Sequence, residues 1–321
     1  MRLHLLLLLL ASVLLASCNP EPSAGPRVDL VGATRYLSAS RTSTSPADTF
    51  TTRVFADKRN SDDANISRLL ITVDYTPTPN PYAYPATGFN RDNILPKVFS
   101  LVYLDSMVQG SQQRAVAFQF TANTRTTSGR ELWTFRAFDT DGASNARSYQ
   151  LSLRNADSAL VVYHRYSLLL PAPSNAGSRS YLSLLPGLTL PSVSLRQSPE
   201  NQNLIDLVYF QLPNGGRALA TPNDPEFVAR SAFWTTRRAT QLRATTLDSA
   251  AFATADTTAI LSAFSQSTAL GIPTRTGPLA ARGSGRVLAF RTADRKTGLI
   301  FIQSFLTAPT PAMRLQVRIT K

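Results

Sequence analysis

Apolar and polar residues alternate along most of this chain with a period of two, whereas a helix repeats every 3.6 residues. The pattern is clearest in three segments: VAFQFTA (116–122), YQLSLR (149–154) and RLQVRIT (314–320). A strand with one buried and one exposed face has this pattern, which is typical of antiparallel sheets packed in layers. The sequence therefore predicts an all-β fold.

The first half contains further strand-like runs separated by turn residues. They are Phe50 to Phe55, Ser67 to Tyr75 and Val98 to Leu104. The segment 132–154 predicts a hairpin, because Asp139, Asp141 and Gly142 lie between two alternating runs. About seven short strands in this region are typical of an immunoglobulin-like (Ig-like) β-sandwich. We place this domain at residues 28–156.

A cluster of prolines interrupts the strand pattern of the first half. Its members are Pro77, Pro79, Pro81 and Pro85. We expect them in a long loop between strands, because proline is excluded from central strands.

The second half, residues 157–321, contains runs that are apolar on both alternations, such as NLIDLVYFQL (203–212) and GLIFIQSF (298–305). Such strands are covered on both faces. A helical pattern appears at 247–264, where Asp256 is placed to cap the second half. The sequence predicts a second β-sandwich domain with a short helical insertion, joined to the first near 155–158.

The amino-terminal segment has the organisation of an export signal. Arg2 precedes an apolar run from Leu5 to Leu15, which is followed by small residues. Leu15-Ala16-Ser17-Cys18 resembles the bacterial lipobox. That resemblance implies a lipoprotein signal peptide at 1–17, cleavage before Cys18, lipidation of its sulfur and a membrane-anchored tether at 18–27. The alternative is an ordinary secretory leader with a chance cysteine.

The compartment follows from the same segment. We expect a cell-envelope protein, with the outer membrane preferred because Asn19 is not the aspartate that retains many lipoproteins at the inner membrane. The membrane face, periplasmic or outward, stays open.

Composition narrows the possible chemistry. Cys18 is the only cysteine, so its lipidation would exclude disulfides and thiolate metal sites. The formal charge is +13, but the arginines are scattered along the chain, which indicates solvated faces rather than a nucleic-acid surface. We therefore expect no nucleic-acid partner.

Few residues suggest catalysis or metal binding. His164 is the only histidine after the leader, and its strand position favours packing over a triad role. Asp206 lies in an apolar strand. One interpretation is an acid of perturbed pKa; the favoured one is a residue that points outward or bonds a backbone amide. Asp139 and Asp141 are weak calcium candidates for which an ordinary turn is the favoured interpretation. No cofactor is expected.

Two tyrosines in the proline-rich loop, Tyr82 and Tyr84, are candidate ligand contacts. An exposed aromatic ring offers an apolar body with a polar tip and can stack on a sugar. The alternative is that these rings only fill space in a long loop.

The second half also carries four segments of some specificity: IDLVYF (205–210), ALATP (218–222), KTGLIFI (296–302) and the terminal LQVRITK. Through them it resembles an uncharacterised domain common in lipoproteins of the Bacteroidota. The first half, through residues 135–153, resembles Ig-like or cadherin-like envelope modules. The resemblance implies no assigned activity and supplies no catalytic residue.

These observations favour a membrane-anchored envelope lipoprotein with a non-enzymatic binding or adhesion role. Its expected partners are the membrane, through the lipid, and a glycan or an envelope protein. Two alternatives remain: a glycan-active enzyme that uses a carboxylate pair, and a scaffold subunit of an envelope complex. A carboxylate pair in a concave cleft would favour the enzyme, whereas a flat apolar patch would favour the scaffold.

Overall fold

A computed structural model describes residues 25–78, 98–154, 163–279, 285–307 and 310–321. Cys18, Tyr82, Tyr84 and the junction at 155–158 lie outside the described residues, as does the signal peptide predicted at 1–17.

The first half is a β-sandwich of two sheets. Its strands are β1 (Arg27–Leu30), β2 (Arg41–Ser43), β3 (Thr49–Asp57), β4 (Ile66–Pro77), β5 (Phe99–Met107), β6 (Ala115–Asn123), β7 (Gly129–Asp139) and β8 (Ser144–Leu153). A short 3-10 helix, Gly110–Gln113, precedes β6. One sheet has the order β1-β3-β6 and the other the order β2-β8-β7-β4-β5. Only β2 pairs in parallel, with β8, among these described strands.

Aromatic rings fill the space between these two sheets. Phe50 meets Trp133 edge to face, with 5.3 Å between ring centroids, and Tyr103 meets Trp133 at 5.4 Å. Inside this core the Tyr149 hydroxyl lies 2.7 Å from the Thr52 hydroxyl, so its polar tip is satisfied. The alternating residues of the sequence thus point into one core, and the prediction of an Ig-like sandwich is confirmed.

The second half contains two more sheets. Its strands are β9 (Tyr163–Pro171), β10 (Tyr181–Ser183), β11 (Leu188–Leu190), β12 (Leu207–Gln211), β13 (Arg217–Ala220), β14 (Gln241–Ala244), β15 (Thr268–Ala269), β16 (Arg286–Arg291), β17 (Thr297–Leu306) and β18 (Ala312–Thr320). A four-stranded sheet, β11-β10-β12-β13, packs on a six-stranded sheet, β15-β14-β16-β17-β18-β9.

Short helices cover the outer faces of these sheets. They are α1 (Ser192–Gln197), α2 (Pro225–Arg230), α3 (Ser249–Thr254) and α4 (Thr257–Gln266), with a 3-10 helix at Pro199–Leu204. The helical stretch predicted at 247–264 is therefore two helices. They separate where Ala255 leaves the helical conformation, and Asp256 caps α4 by accepting a hydrogen bond from Ala259 N at 2.8 Å. The predicted cap is confirmed.

Strand β16 shows why several apolar runs lack alternation. Leu288 and Phe290 pack between the two sheets, whereas Val287 and Ala289 pack beneath α3 and α4. Both faces of this strand are buried, as the sequence predicts.

The two halves share contacts across the predicted boundary. Asn123 at the end of β6 accepts a hydrogen bond from Thr189 N at 2.9 Å and donates one to Gly187 O at 2.6 Å. Asn201 donates to Val102 O on edge strand β5 at 2.8 Å. These bonds satisfy buried polar groups and cover a sheet edge. The division at 156/157 stays a prediction.

Two further features complete the architecture. Strand β4 continues to Pro77, so this proline ends a strand instead of lying in the loop expected for the proline cluster. It is tolerated there because it occupies the last position of the strand. None of the helices in the described part of the chain combines the length and the apolar character needed to cross a bilayer.

Candidate functional site

An open cleft of about 300 Å³ lies at one end of the four-stranded sheet. One wall is the loop between β12 and β13, from Leu212 to Asn214, and the opposite wall is the segment from Ile272 to Pro278. Glu226 on α2 also lines the cleft. The volume is at the lower end of the range of roughly 300–1,000 Å³ that small-molecule sites occupy.

Backbone hydrogen bonds fix both walls. In the hairpin loop, Leu212 N donates to Gly216 O at 2.8 Å, and Gly216 N donates to the Asn214 side chain at 3.0 Å. The other wall extends the sheet beside β13, where Thr276 N donates to Leu219 O at 3.0 Å. The cleft is therefore bounded by chain segments held on a sheet, which preorganises it for a ligand.

Asp224 and Arg275 organise the charged side of the cleft. Asp224 is fully buried and begins α2, where it accepts hydrogen bonds from Glu226 N at 3.0 Å and Phe227 N at 3.3 Å. It also accepts from Thr274 Oγ1 at 2.7 Å and from Arg275 Nη1 at 3.3 Å. Both carboxylate oxygens of Asp224 accept hydrogen bonds from the protein. Asp224 therefore positions Arg275 and the start of α2 and is not exposed to solvent.

Glu226 is the acid that the cleft presents. Its Oε1 accepts a hydrogen bond from Arg275 Nη2 at 2.5 Å, whereas its Oε2 lies against the protein without a hydrogen-bond partner. This hydrogen bond to Glu226 is the main cause of the raised pKa of Arg275, so the guanidinium stays charged. The Glu226 side chain as a whole is 39% exposed, so a ligand in the cleft can contact this carboxylate.

The other lining groups combine apolar and polar surface. Leu212, Pro213, Ile272 and Pro278 supply carbon surface, and Asn214 adds an amide. A few placed polar groups among apolar walls are typical of sites for small polar ligands.

Sequence reasoning did not single out Glu226 or Arg275. The order Asp-Pro-Glu at 224–226 does signal a helix start, with a capping aspartate and proline in the first turn. Arg275, however, lies 49 residues from Glu226 in the sequence, and only the fold brings the two together.

Of the residues singled out from the sequence, His164 and Asp206 are buried. His164 lies on β9, on the inward alternation with Tyr166, which is the position that the sequence predicted for a packed residue. Asp206 accepts a hydrogen bond from Leu184 N at 2.8 Å and pairs with Arg238 Nε at 2.9 Å. Burial raises the pKa of Asp206, with Arg238 opposing the shift. It bonds a backbone amide, as expected, but does not point outward.

Asp139 and Asp141 lie in the β7–β8 hairpin turn. Asp139 Oδ1 accepts hydrogen bonds from Asp141 N at 3.1 Å and Ala143 N at 2.8 Å, while Gly142 adopts a positive φ of 85°. The Asp139 carboxylate therefore closes the turn. Among the described residues, no three His, Cys, Asp or Glu side chains converge as a metal site would require.

A second buried acid, Glu131 on β7, also has a structural environment. Its Oε2 accepts a hydrogen bond from Trp133 Nε1 at 3.1 Å, and Arg125 lies 3.5 Å from its Oε1. Burial raises the pKa of Glu131 and lowers that of Arg125. Both side chains are buried, so we assign this pair to the packing of the first sandwich.

No protein-family model matches the chain, and no curated protein matches its sequence. Among solved structures, a DUF4466 family protein from Parabacteroides merdae is similar at 12% identity over 94% of this chain and 100% of that chain, with a TM-score of 0.33. The sporulation control protein Spo0M from Bacillus subtilis is 12% identical over 61% of this chain and 78% of its own, at a TM-score of 0.25. Murine CRIg is 12% identical over 41% of this chain and 98% of its own, at 0.18. At these TM-scores no function is taken from the three proteins.

Proposed function

We propose that this protein is a lipid-anchored component of a bacterial cell envelope that binds a short neutral saccharide, without transforming it, in the cleft at Glu226. The observation that carries the proposal is the cleft itself, in which the partly exposed Glu226 side chain lies among apolar lining residues. A sugar has the matching surface, since its hydroxyls need hydrogen-bond partners and its C–H faces pack on carbon.

Charge favours a neutral ligand. Asp224 and Glu226 face the single guanidinium of Arg275, so the acids at this site outnumber the cation by one. An anionic ligand would meet like charge, whereas hydroxyl groups can donate to Glu226 and accept from Asn214.

Binding is also favoured over hydrolysis at this cleft. A glycosidase needs two carboxylates placed on either side of the scissile bond. Asp224 is buried and engaged by four donors, which leaves Glu226 as the one carboxylate that the described cleft walls present. The geometry therefore supports recognition.

Calorimetric titration with a panel of neutral di- to tetrasaccharides tests the cleft. Gly277→Phe is the blocking variant, because no atom lies within 4 Å of the position of an added Cβ and the backbone tolerates a side chain. We expect Gly277→Phe to weaken binding at least tenfold and Glu226→Gln to weaken it by several fold. Glu200→Gln, the same change at an exposed site, serves as the control. Absence of binding across the panel, or unchanged affinity in Gly277→Phe, would reject the cleft.

The anchor is tested separately. Export of the full chain in a bacterium fed a radiolabelled fatty acid should label the protein, and Cys18→Ser should abolish the label and release the protein from membranes. Labelling that persists in the variant, or an unlabelled wild-type chain, would contradict lipidation at Cys18.

A further inference from the structure

The exposed face of the β1-β3-β6 sheet carries a cluster of cationic and amide groups around one tyrosine. Tyr36, in the loop after β1, donates a hydrogen bond from its hydroxyl to Gln119 Oε1 on β6 at 2.9 Å. The guanidinium carbon of Arg35 lies 4.9 Å from the Tyr36 ring centroid, and that of Arg53 on β3 lies 5.4 Å away. We name these four residues the Tyr36 cluster.

The cluster is held in place by the backbone. Tyr36 N donates to Ala33 O at 2.9 Å, which closes the turn, and Leu37 N donates to Thr51 O at 2.8 Å, which ties the loop to β3. Arg53 and Gln119 are register partners on neighbouring strands. Stacking on a ring that is itself hydrogen-bonded orders both guanidiniums before any ligand arrives.

The two guanidiniums have unused donors. Neither Arg35 nor Arg53 forms an ion pair or a side-chain hydrogen bond within the described residues, whereas Arg27 and Arg41 on the same sandwich pair with Asp57 and Asp48. Asp29 on β1 and Asp57 on β3 also lie on this face, and both are within ion-pair distance of Arg27, at 3.4 and 2.8 Å. The guanidiniums of Arg35 and Arg53 therefore have no ion-pair partner among the described residues, and charge complementarity calls for an anion.

The neighbouring groups indicate what carries that anion. Thr51 and Thr121 present hydroxyls 3.0 Å apart on the same face, one step along the strands from Arg53 and Gln119. Hydroxyl and amide groups beside the two guanidiniums suit a sugar that carries a carboxylate. The guanidiniums would bind the carboxylate, and the hydroxyl and amide groups would form hydrogen bonds with the hydroxyls of the sugar ring.

We infer that the Tyr36 cluster binds an acidic saccharide, a polymer of uronate type that lies across the sheet. This site is independent of the Glu226 cleft, because it lies on the other sandwich and binds an acidic saccharide, whereas the cleft binds a neutral one.

The test measures binding of polygalacturonate to the full chain in detergent, by affinity electrophoresis and calorimetry. Arg35→Gln combined with Arg53→Gln should weaken binding at least tenfold. Arg130→Gln combined with Arg136→Gln removes the same charge from exposed positions on the other sheet of the sandwich, and should change affinity less than twofold. Gly277→Phe should leave the affinity for polygalacturonate unchanged, because this ligand does not bind in the cleft.

Three results would overturn the inference. The first is that polygalacturonate does not bind. The second is that both double variants lose affinity equally, which would indicate a response to net charge alone. Alternatively, polyglutamate or a single-stranded oligonucleotide would bind as tightly as polygalacturonate and with the same dependence on Arg35 and Arg53. That outcome would assign the cluster to anions in general and not to a saccharide.

Discussion

At the scale of single residues, Asp206 shows how burial and pairing compete. Its carboxylate is 3% exposed and accepts hydrogen bonds from Leu184 N, Arg238 Nε and Thr240 Oγ1. An asparagine in its place has one acceptor oxygen, so either the Leu184 amide or Arg238 loses its partner. We expect Asp206→Asn to lower the free energy of unfolding by about 1–3 kcal/mol.

The pH dependence of this loss of stability shows whether burial or pairing with Arg238 has the larger effect on the pKa of Asp206. Burial raises the pKa of Asp206 above its ordinary value of 3.8, so the folded chain holds more protons than the unfolded chain in the window just above this value. The contribution of Asp206 to stability must then fall as pH rises through the window. Denaturant titrations from pH 3.5 to 7 should show the difference between wild type and Asp206→Asn shrinking. A difference that grows with pH would mean that Arg238 outweighs burial.

At the scale of elements, regular strands could be predicted from the sequence and short ones could not. β6 and β8 have one buried face, and the period of two marks them directly. β11 and β15 have three and two residues, too few for any period to show. The helical stretch and its cap at Asp256 were predictable, but the contact that holds the chain at Ala255 was not, because it comes from a partner on β18.

That partner is Arg318, which is buried beneath α3. Its Nη2 donates to Ala253 O at 2.6 Å, its Nη1 donates to Ala255 O, and its guanidinium carbon lies 5.2 Å from the Phe252 ring centroid. The last carbonyls of a helix need such donors. We expect Arg318→Met to cost about 1–3 kcal/mol of stability.

Hydrogen exchange locates the effect of Arg318→Met. Amide exchange should accelerate mainly in residues 249–266, since the donors hold this segment against the sheet. Arg314→Met removes an exposed arginine from the same strand and should change stability by less than about 0.5 kcal/mol. Uniform acceleration over the whole chain, or none, would contradict the docking role.

At the scale of the whole molecule, the sequence predicts the β-rich class and the two sandwiches, whereas the candidate cleft depends on contacts that no local pattern encodes. Glu226 and Arg275 meet only because the segment after β15 returns along β13. The same holds for the surface between the halves, where Leu195 and Trp234 join the core that contains Trp133 and Phe135. Apolar patterning predicts that such residues are buried, but not against which partner.

From this shared core we predict that the two halves unfold as one cooperative unit, and separating the halves tests this prediction. Residues 28–156 alone would expose the edge of β5, including Val102 O, and residues 157–321 alone would expose Leu195 and Trp234. We expect the intact chain to unfold in a single transition, and each isolated half to unfold at a lower midpoint.

A point substitution probes the same surface inside the intact chain. Leu195 is fully buried where α1 packs against β5, so Leu195→Ala should cost about 2–5 kcal/mol. If the halves are coupled, this change must lower the midpoint reported by Trp133 in the first half as well as by Trp234 in the second, because one transition carries both. Tryptophan fluorescence of the single-tryptophan variants Trp133→Phe and Trp234→Phe separates the two signals. Two transitions, with the Trp133 midpoint unmoved by Leu195→Ala, would show that each sandwich folds by itself and that the contacts at Asn123 and Asn201 are docking contacts between independent domains.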